Sequence, residues 1–172
     1  MSGDWVIVAD GAQARFMVFG RHTGPRRGEL RLVESSKLDN PEHTIRGRRD
    51  ARQLKSGYDT VNYEYTDHRE QHDAELLRRF AARIARQATA LSTIGEVTAI
   101  TLVANSRMMG LLQSAFEPLA RLGMSLRTLQ RDFTWCTPAQ VQHHLSENSL
   151  LPVRHEYQPR HSKSPTLASA FH

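Results

Sequence analysis

V-T-A-I-T-L-V-A-N-S-R-M-M-G-L-L-Q-S-A-F-E-P-L, residues Val97 to Leu119, decides the fold: an apolar segment that breaks at Asn105-Ser106 and turns directly into an amphipathic helix. Val97 to Ala104 is apolar or Thr throughout instead of alternating, as a strand covered on both faces requires, so it reads as the centre of an α/β sheet. Ser106 is placed to cap the first helical turn. Met108, Leu111, Leu112, Ala115, Phe116 and Leu119 then recur at helical spacing and form the face that packs on the sheet. Pro118 should bend or restart this helix and Gly123 should end it.

Working back from there, a helix of about six turns is expected from Asp67, where D-H-R-E has the form of a capping box. Leu77, Phe80, Ala81, Ile84, Ala85, Ala88 and Leu91 mark its apolar face. Before it, Asp4–Asp10 and Ala14–Gly20 read as a hairpin turning at Asp10-Gly11, a pair that tolerates positive φ. Glu29–Ser35 reads as a third, half-exposed strand. Residues 36–66 lack periodicity, and a connection of that length is expected to be a mobile loop with a binding role. Working forward, Met124–Gln130 alternates poorly and is placed near a sheet edge. T-P-A-Q at Thr137–Gln140 combines an N-cap, an early proline and a capping box, opening a last helix that closes near Asn148.

The expected fold class is therefore α/β, with a mixed five-stranded sheet in the ribonuclease H-like order β-β-β-α-β-α-β-α. Residues 1–149 form one domain, and 150–172, rich in Pro, Ser, His and Arg, a flexible tail or one held by a second copy, which leaves a homodimer open. The chain of 172 residues has no apolar run long enough to span a bilayer and no basic, cleavable leader, so a cytoplasmic protein is expected. Its single cysteine, Cys136, excludes an internal disulfide and a cysteine-based zinc site. The formal charge of +5 is concentrated: Arg21–Lys55 holds ten Lys/Arg against five Asp/Glu. Arg46, Arg48, Arg49, Arg52 and Lys55 in the loop are thus binding candidates for an acidic or phosphate-bearing partner, as are Arg79, Arg83 and Arg86 on one helix face. The plainer account of both is a solvated surface.

Catalytic chemistry finds little support. A two-metal nuclease needs converging carboxylates; the strand ends offer Asp10, the long helix Asp73 or Glu75, and the strand at 97–104 ends in the neutral Asn105. His68 and His72 share a helical face without a third ligand, and His143 and His144 are adjacent and should point apart. Ser106 lacks the G-x-S-x-G elbow of a nucleophile. Asn105, Ser106 and Arg107, at a helix start beyond a strand's carboxyl end, remain a candidate anion site. No catalytic residue, metal ligand or cofactor is assigned.

Five blocks in order, W-V-I-V-A-D-G-A-Q-A-R-F (Trp5–Phe16), L-D-N-P-E-H (Leu38–His43), E-L-L-R-R-F-A (Glu75–Ala81), L-V-A-N-S-R-M-M-G-L-L (Leu102–Leu112) and R-D-F-T-W-C-T-P-A-Q-V-Q-H-H-L (Arg131–Leu145), resemble the bacterial host-attachment protein family. The resemblance implies a non-enzymatic binding protein acting in attachment to host cells. The family is also similar in fold to the middle domain of eukaryotic and archaeal peptide-release factors. Lys55–Asp67, where such a factor carries a Gly-Gly-Gln loop, holds neither the double glycine nor a glutamine, so peptide release is not expected. An intracellular RNA- or ribosome-associated role stays open beside attachment, and either way the partner is a macromolecule.

Overall fold

The computed structural model describes residues 3–21, 29–43, 63–94 and 97–151, with side chains of the long helix described from residue 69 onward. Strand β1 (Gly3–Ala9) occupies the middle of a five-stranded sheet, with β2 (Gln13–Arg21) and β3 (Leu30–Asp39) on one side and β4 (Val97–Ala104) and β5 (Ser125–Gln130) on the other, in the order β3-β2-β1-β4-β5. β1, β2 and β3 form an antiparallel meander, while β4 pairs parallel to β1 and β5 parallel to β4. The apolar run Val97–Ala104 is therefore interior but is not the middle strand. Val6–Ala9 and Ala99–Ala104 are both buried, and continuous burial marks any inner strand, not the central one. β5 lies at an edge, as its poor alternation implies.

Among the described residues three helices cover the sheet: α1 (Tyr63–Ile94), α2 (Ser106–Arg121) and α3 (Pro138–Glu147). The element order is thus β-β-β-α-β-α-β-α, with one further helical turn at 41–43. Alternate strand residues divide the core into two layers. Ile7, Phe16, Ile100 and Leu102 pack with Phe80 and Ile84 of α1 and Met108, Leu112 and Phe116 of α2. Val6, Val8, Met17, Phe19, Leu32 and Val103 pack on the other face with Val141 and Leu145 of α3.

Several boundaries differ from the sequence reading. β3 runs on to Asp39, past the start assigned to the loop at residue 36, and its register with β2 shifts between Phe16 and Met17, a bulge that absorbs the extra residue. α1 begins at Tyr63, one turn before Asp67, because nothing in Y-E-Y-T breaks a helix, so Asp67 lies inside the helix and not at its start. α2 passes through Pro118 without restarting and closes in a Schellman arrangement: Met124 N donates to Leu119 O, Gly123 N donates to Ala120 O, and Gly123 has φ +94. Leu150 and Leu151 pack into the α3-side core, so the domain extends past residue 149; residues 152–172 lie outside the described residues. α3 opens on the expected capping box, Thr137 N donating to Gln140 Oε1 and Gln140 N to Thr137 Oγ1.

Gly11 does not have positive φ: among the described residues only Gly123 and Ser149 do. A close approach accounts for it instead, since a Cβ on Gly11 would lie 3.2 Å from Leu77 Cδ2 and 3.7 Å from His43 Cδ2.

Candidate binding edge of the sheet

Because β1, β4 and β5 are parallel, they end together, with Ala9 beside Ala104 and Ala104 beside Gln130. β2 begins and β3 ends at the same rim, where Gln13 pairs with Asp39. Four segments therefore gather along one edge: 10–12, 40–43, 105–107 and 131–137. Each belongs to one of the sequence blocks singled out above.

Four polar side chains at this rim, Asp10, Asn40, Asn105 and Asp132, are committed to backbone. Asp10 Oδ1 accepts from Ala12 N at 2.7 Å and Gln13 N at 2.8 Å, closing the hairpin. Asn40, buried, donates from Nδ2 to Gly11 O at 2.8 Å and from its own N to Ala12 O at 2.7 Å, which fastens the end of β3 to that hairpin. Asp132 Oδ1 accepts from Thr134 N and Thr134 Oγ1 at 3.1 and 2.6 Å.

Asn105 is the N-cap of α2 in place of Ser106. Its backbone is extended (φ −65, ψ 164) and its Oδ1 accepts from Met108 N at 2.9 Å, while Ser106 is already the first helical residue. Asn105→Ala is expected to lower unfolding free energy by about 1 kcal/mol, and Asn105→Ser to lower it far less, in urea titrations. Asn105, Ser106 and Arg107 are all exposed, so the candidate anion site faces solvent with one helical N–H already taken.

The 131–137 segment is anchored by Arg15, a residue the sequence reading did not single out. Its guanidinium donates from Nε to Glu34 Oε2 at 2.8 Å and from Nη1 to the carbonyls of Thr134 and Cys136 at 3.0 and 2.6 Å. Cys136 N closes a turn onto Phe133 O at 3.0 Å, and the Phe133 ring stacks on His144 with centroids 4.8 Å apart. Between these anchors Trp135 projects outward, 87% exposed.

The basic candidates Arg46, Arg48, Arg49, Arg52 and Lys55 lie outside the described residues. On α1, Arg79 is spent on Glu75 at 3.2 Å, and Arg78 also pairs with that carboxylate. The hydrogen bond from Arg79, then that from Arg78, lowers the Glu75 pKa. A depressed carboxyl pKa stabilises the fold above its unfolded value, and that contribution is lost as pH falls through the lowered one. Arg83 lies 6.0 Å from the Phe80 ring centre and Arg86 is exposed, so the three-arginine stripe reduces to two cations without an acidic partner among the described residues.

No group of three or more His, Cys, Asp or Glu able to hold a metal occurs among the described residues. The His68 side chain lies outside them. His143 and His144 do not simply point apart. His143 Nε2 and His144 Nδ1 both approach the Glu147 carboxylate, at 3.4 and 3.3 Å, because positions i+4 and i+3 place that residue between them on the helix. No helix of the described residues is long and apolar enough to cross a membrane.

A family model described as "Protein required for attachment to host cells" matches residues 5–145. No curated protein matches the chain significantly.

Proposed function

The chain belongs to the family of proteins required for attachment to host cells, and on that premise we propose that it is a non-enzymatic binding protein whose partner contacts fall on the carboxyl edge of the sheet and on the basic residues Arg46, Arg48, Arg49, Arg52 and Lys55. The observation that carries this reading is the use made of the rim's polar side chains. Asp10, Asn40, Asn105 and Asp132 each hold backbone groups of a turn, which makes the edge a set of braced loops. A hydrolytic site instead needs carboxylates free to gather a cation or activate water. Asp10, the strand-end acid best placed for a metal, has one oxygen occupied by two amides.

The test is attachment to host cells by a strain lacking the protein, complemented with wild type or with Arg48, Arg49 and Arg52 all replaced by alanine. The triple variant is expected to restore little attachment, with the purified protein showing no metal-dependent cleavage of RNA, DNA or hybrid duplexes. Full restoration discards these arginines as a contact, and cleavage abolished by Asp10→Asn discards the non-enzymatic reading.

A second reading, association with RNA or the ribosome, draws on Arg83 and Arg86, which carry no acidic partner among the described residues. It requires co-sedimentation with ribosomes that weakens steeply as salt rises. Absence of co-sedimentation at low salt removes it.

A further inference from the structure

We propose that the outer edge of β5 is an interface for a second copy of this chain, whose own β5 adds antiparallel so that the two sheets run on as one. It does not depend on the attachment reading. Three observations carry it.

The two edges of the sheet are treated differently. At β3, Gln142 of α3 occupies the edge, its Oε1 accepting from Leu32 N at 3.0 Å and its Nε2 donating to Leu30 O at 3.4 Å. At β5 no such guard occurs among the described residues: the strand's backbone bonds go to β4 and, at its end, from Arg131 N to Leu129 O. S-L-R-T-L-Q contains no proline, and its pairing with β4 runs from Ala99–Ser125 to Ala104–Gln130 without a bulge. Its one charge, Arg127, is turned onto Asp4 Oδ2 at 3.5 Å and Leu150 O at 3.1 Å. Proline, a bulge or a free charge is what ordinarily keeps an edge from adding a strand.

One open edge beside one closed edge specifies the occupant. An isologous pair of β5 strands uses up both open edges, so association stops at two copies and no filament grows. A two-fold axis normal to the sheet matches residues that share a face, so it must fall on a residue. Centred on Thr128, it sets that residue against its own counterpart, a favourable cross-strand pair, with Arg127 opposite Leu129 and Leu126 opposite Gln130; centred on Arg127, it would oppose two guanidiniums. Antiparallel matching also turns the two carboxyl edges toward opposite ends of the joined sheet.

α2 leaves room for its counterpart. It connects β4 to β5 and packs on both, so it lies on the β5 side of α1. Leu111 and Ala115 are half-buried against the core that α1 and α2 share, whereas Ser106, Gln113 and Ala120, round on the opposite flank, are exposed and uncharged. Helices laid over successive strand pairs lie about 10 Å apart, twice the strand spacing and within the packing distance of two helices. A flank of small and neutral side chains permits that approach.

Sedimentation velocity of the full chain is expected to show a monomer–dimer equilibrium with no larger species. Thr128→Lys places two ammonium groups at the two-fold axis and should weaken dimerisation about tenfold or more, with the urea midpoint unchanged at concentrations where both proteins are monomeric, and Thr128→Val should keep the dimer. On a Cys136→Ser background, Thr128→Cys should form a disulfide-linked dimer on mild oxidation, since directly opposed residues of an antiparallel pair lie within bridging distance. Ser125→Cys, about 20 Å from its counterpart across the axis, should not. A wild-type chain that stays monomeric up to about 1 mM, growth past two copies, dimerisation unaffected by Thr128→Lys, or a dimer that links through residue 125 and not 128 overturns the proposal.

Discussion

Replacing Arg15 by methionine is expected to cost roughly 2–4 kcal/mol of unfolding free energy and to loosen the 131–137 segment as a unit. The guanidinium is 11% exposed and makes four hydrogen bonds, two to Glu34 and two to the carbonyls of Thr134 and Cys136. Removing one partner of a buried charge pair costs about 3–5 kcal/mol, and this is discounted because the Glu34 carboxylate is 34% exposed and can be rehydrated. The two carbonyls then add the loss of charge-assisted bonds, about 1.5–3 kcal/mol for an ordinary case and not additive with the first. Methionine keeps the apolar stem, so the loss reports the fork and not the packing. Urea titration measures the stability, and the rate of Cys136 modification by a thiol reagent measures the segment, since Cys136 is only partly exposed while Arg15 holds its carbonyl. Glu34→Gln is expected to have the smaller effect on both, because the carbonyl contacts survive. A loss under about 1 kcal/mol with unchanged thiol reactivity would show that the segment is held by Phe133 and the capping box without Arg15.

What the sequence exposed and what it concealed divide along one physical line. Residues whose role depends on period were legible: Val97–Ala104, the α1 face at Phe80, Ala81, Ile84 and Ala88, and the α2 face at Met108, Leu112 and Phe116 are all where spacing puts them. The capping box at Thr137–Gln140 was legible because both of its partners are local. Arg15, Asn40 and Gln142 were not, because the side chain of each acts on backbone 29 or more residues away, as in Asn40 to Gly11 across 29 positions, Arg15 to Cys136 across 121 and Gln142 to Leu32 across 110. Arg15 alone leaves a signal, a charged residue between Ala14 and Phe16 in β2, whereas Gln142, beside His143, and Asn40, between Asp39 and Pro41, stand among polar or turn residues. The same limit applied to the rim. The family resemblance runs through all of its segments, but only the parallel ends of β1, β4 and β5 show that they share an edge.

Gln142 supplies the sharper test of how that sheet is kept from growing. β3 is an edge strand, and an edge exposes amides that invite another strand. Gln142, 2% exposed on α3, meets this directly: its Oε1 accepts from Leu32 N at 3.0 Å and its Nε2 donates to Leu30 O at 3.4 Å, occupying the places a sixth strand would take. Gln142→Leu retains bulk and removes both bonds. It is expected to cost about 1–3 kcal/mol, chiefly for the Leu32 amide left buried without an acceptor, since Leu30 is 40% exposed and its carbonyl can turn to water. Light scattering should show concentration-dependent association of the folded variant past two copies, which wild type lacks. Gln142→Glu separates the two causes by pH. A buried carboxyl is destabilised in its charged form, so its folded pKa lies above the unfolded value and its penalty is present at neutral pH. As pH falls through that raised value the neutral acid again accepts from Leu32 N and donates to Leu30 O, so the deficit against wild type should shrink on acidification. A deficit that does not change with pH would mean that packing at position 142, and not its paired bonds to the edge, is what the fold requires.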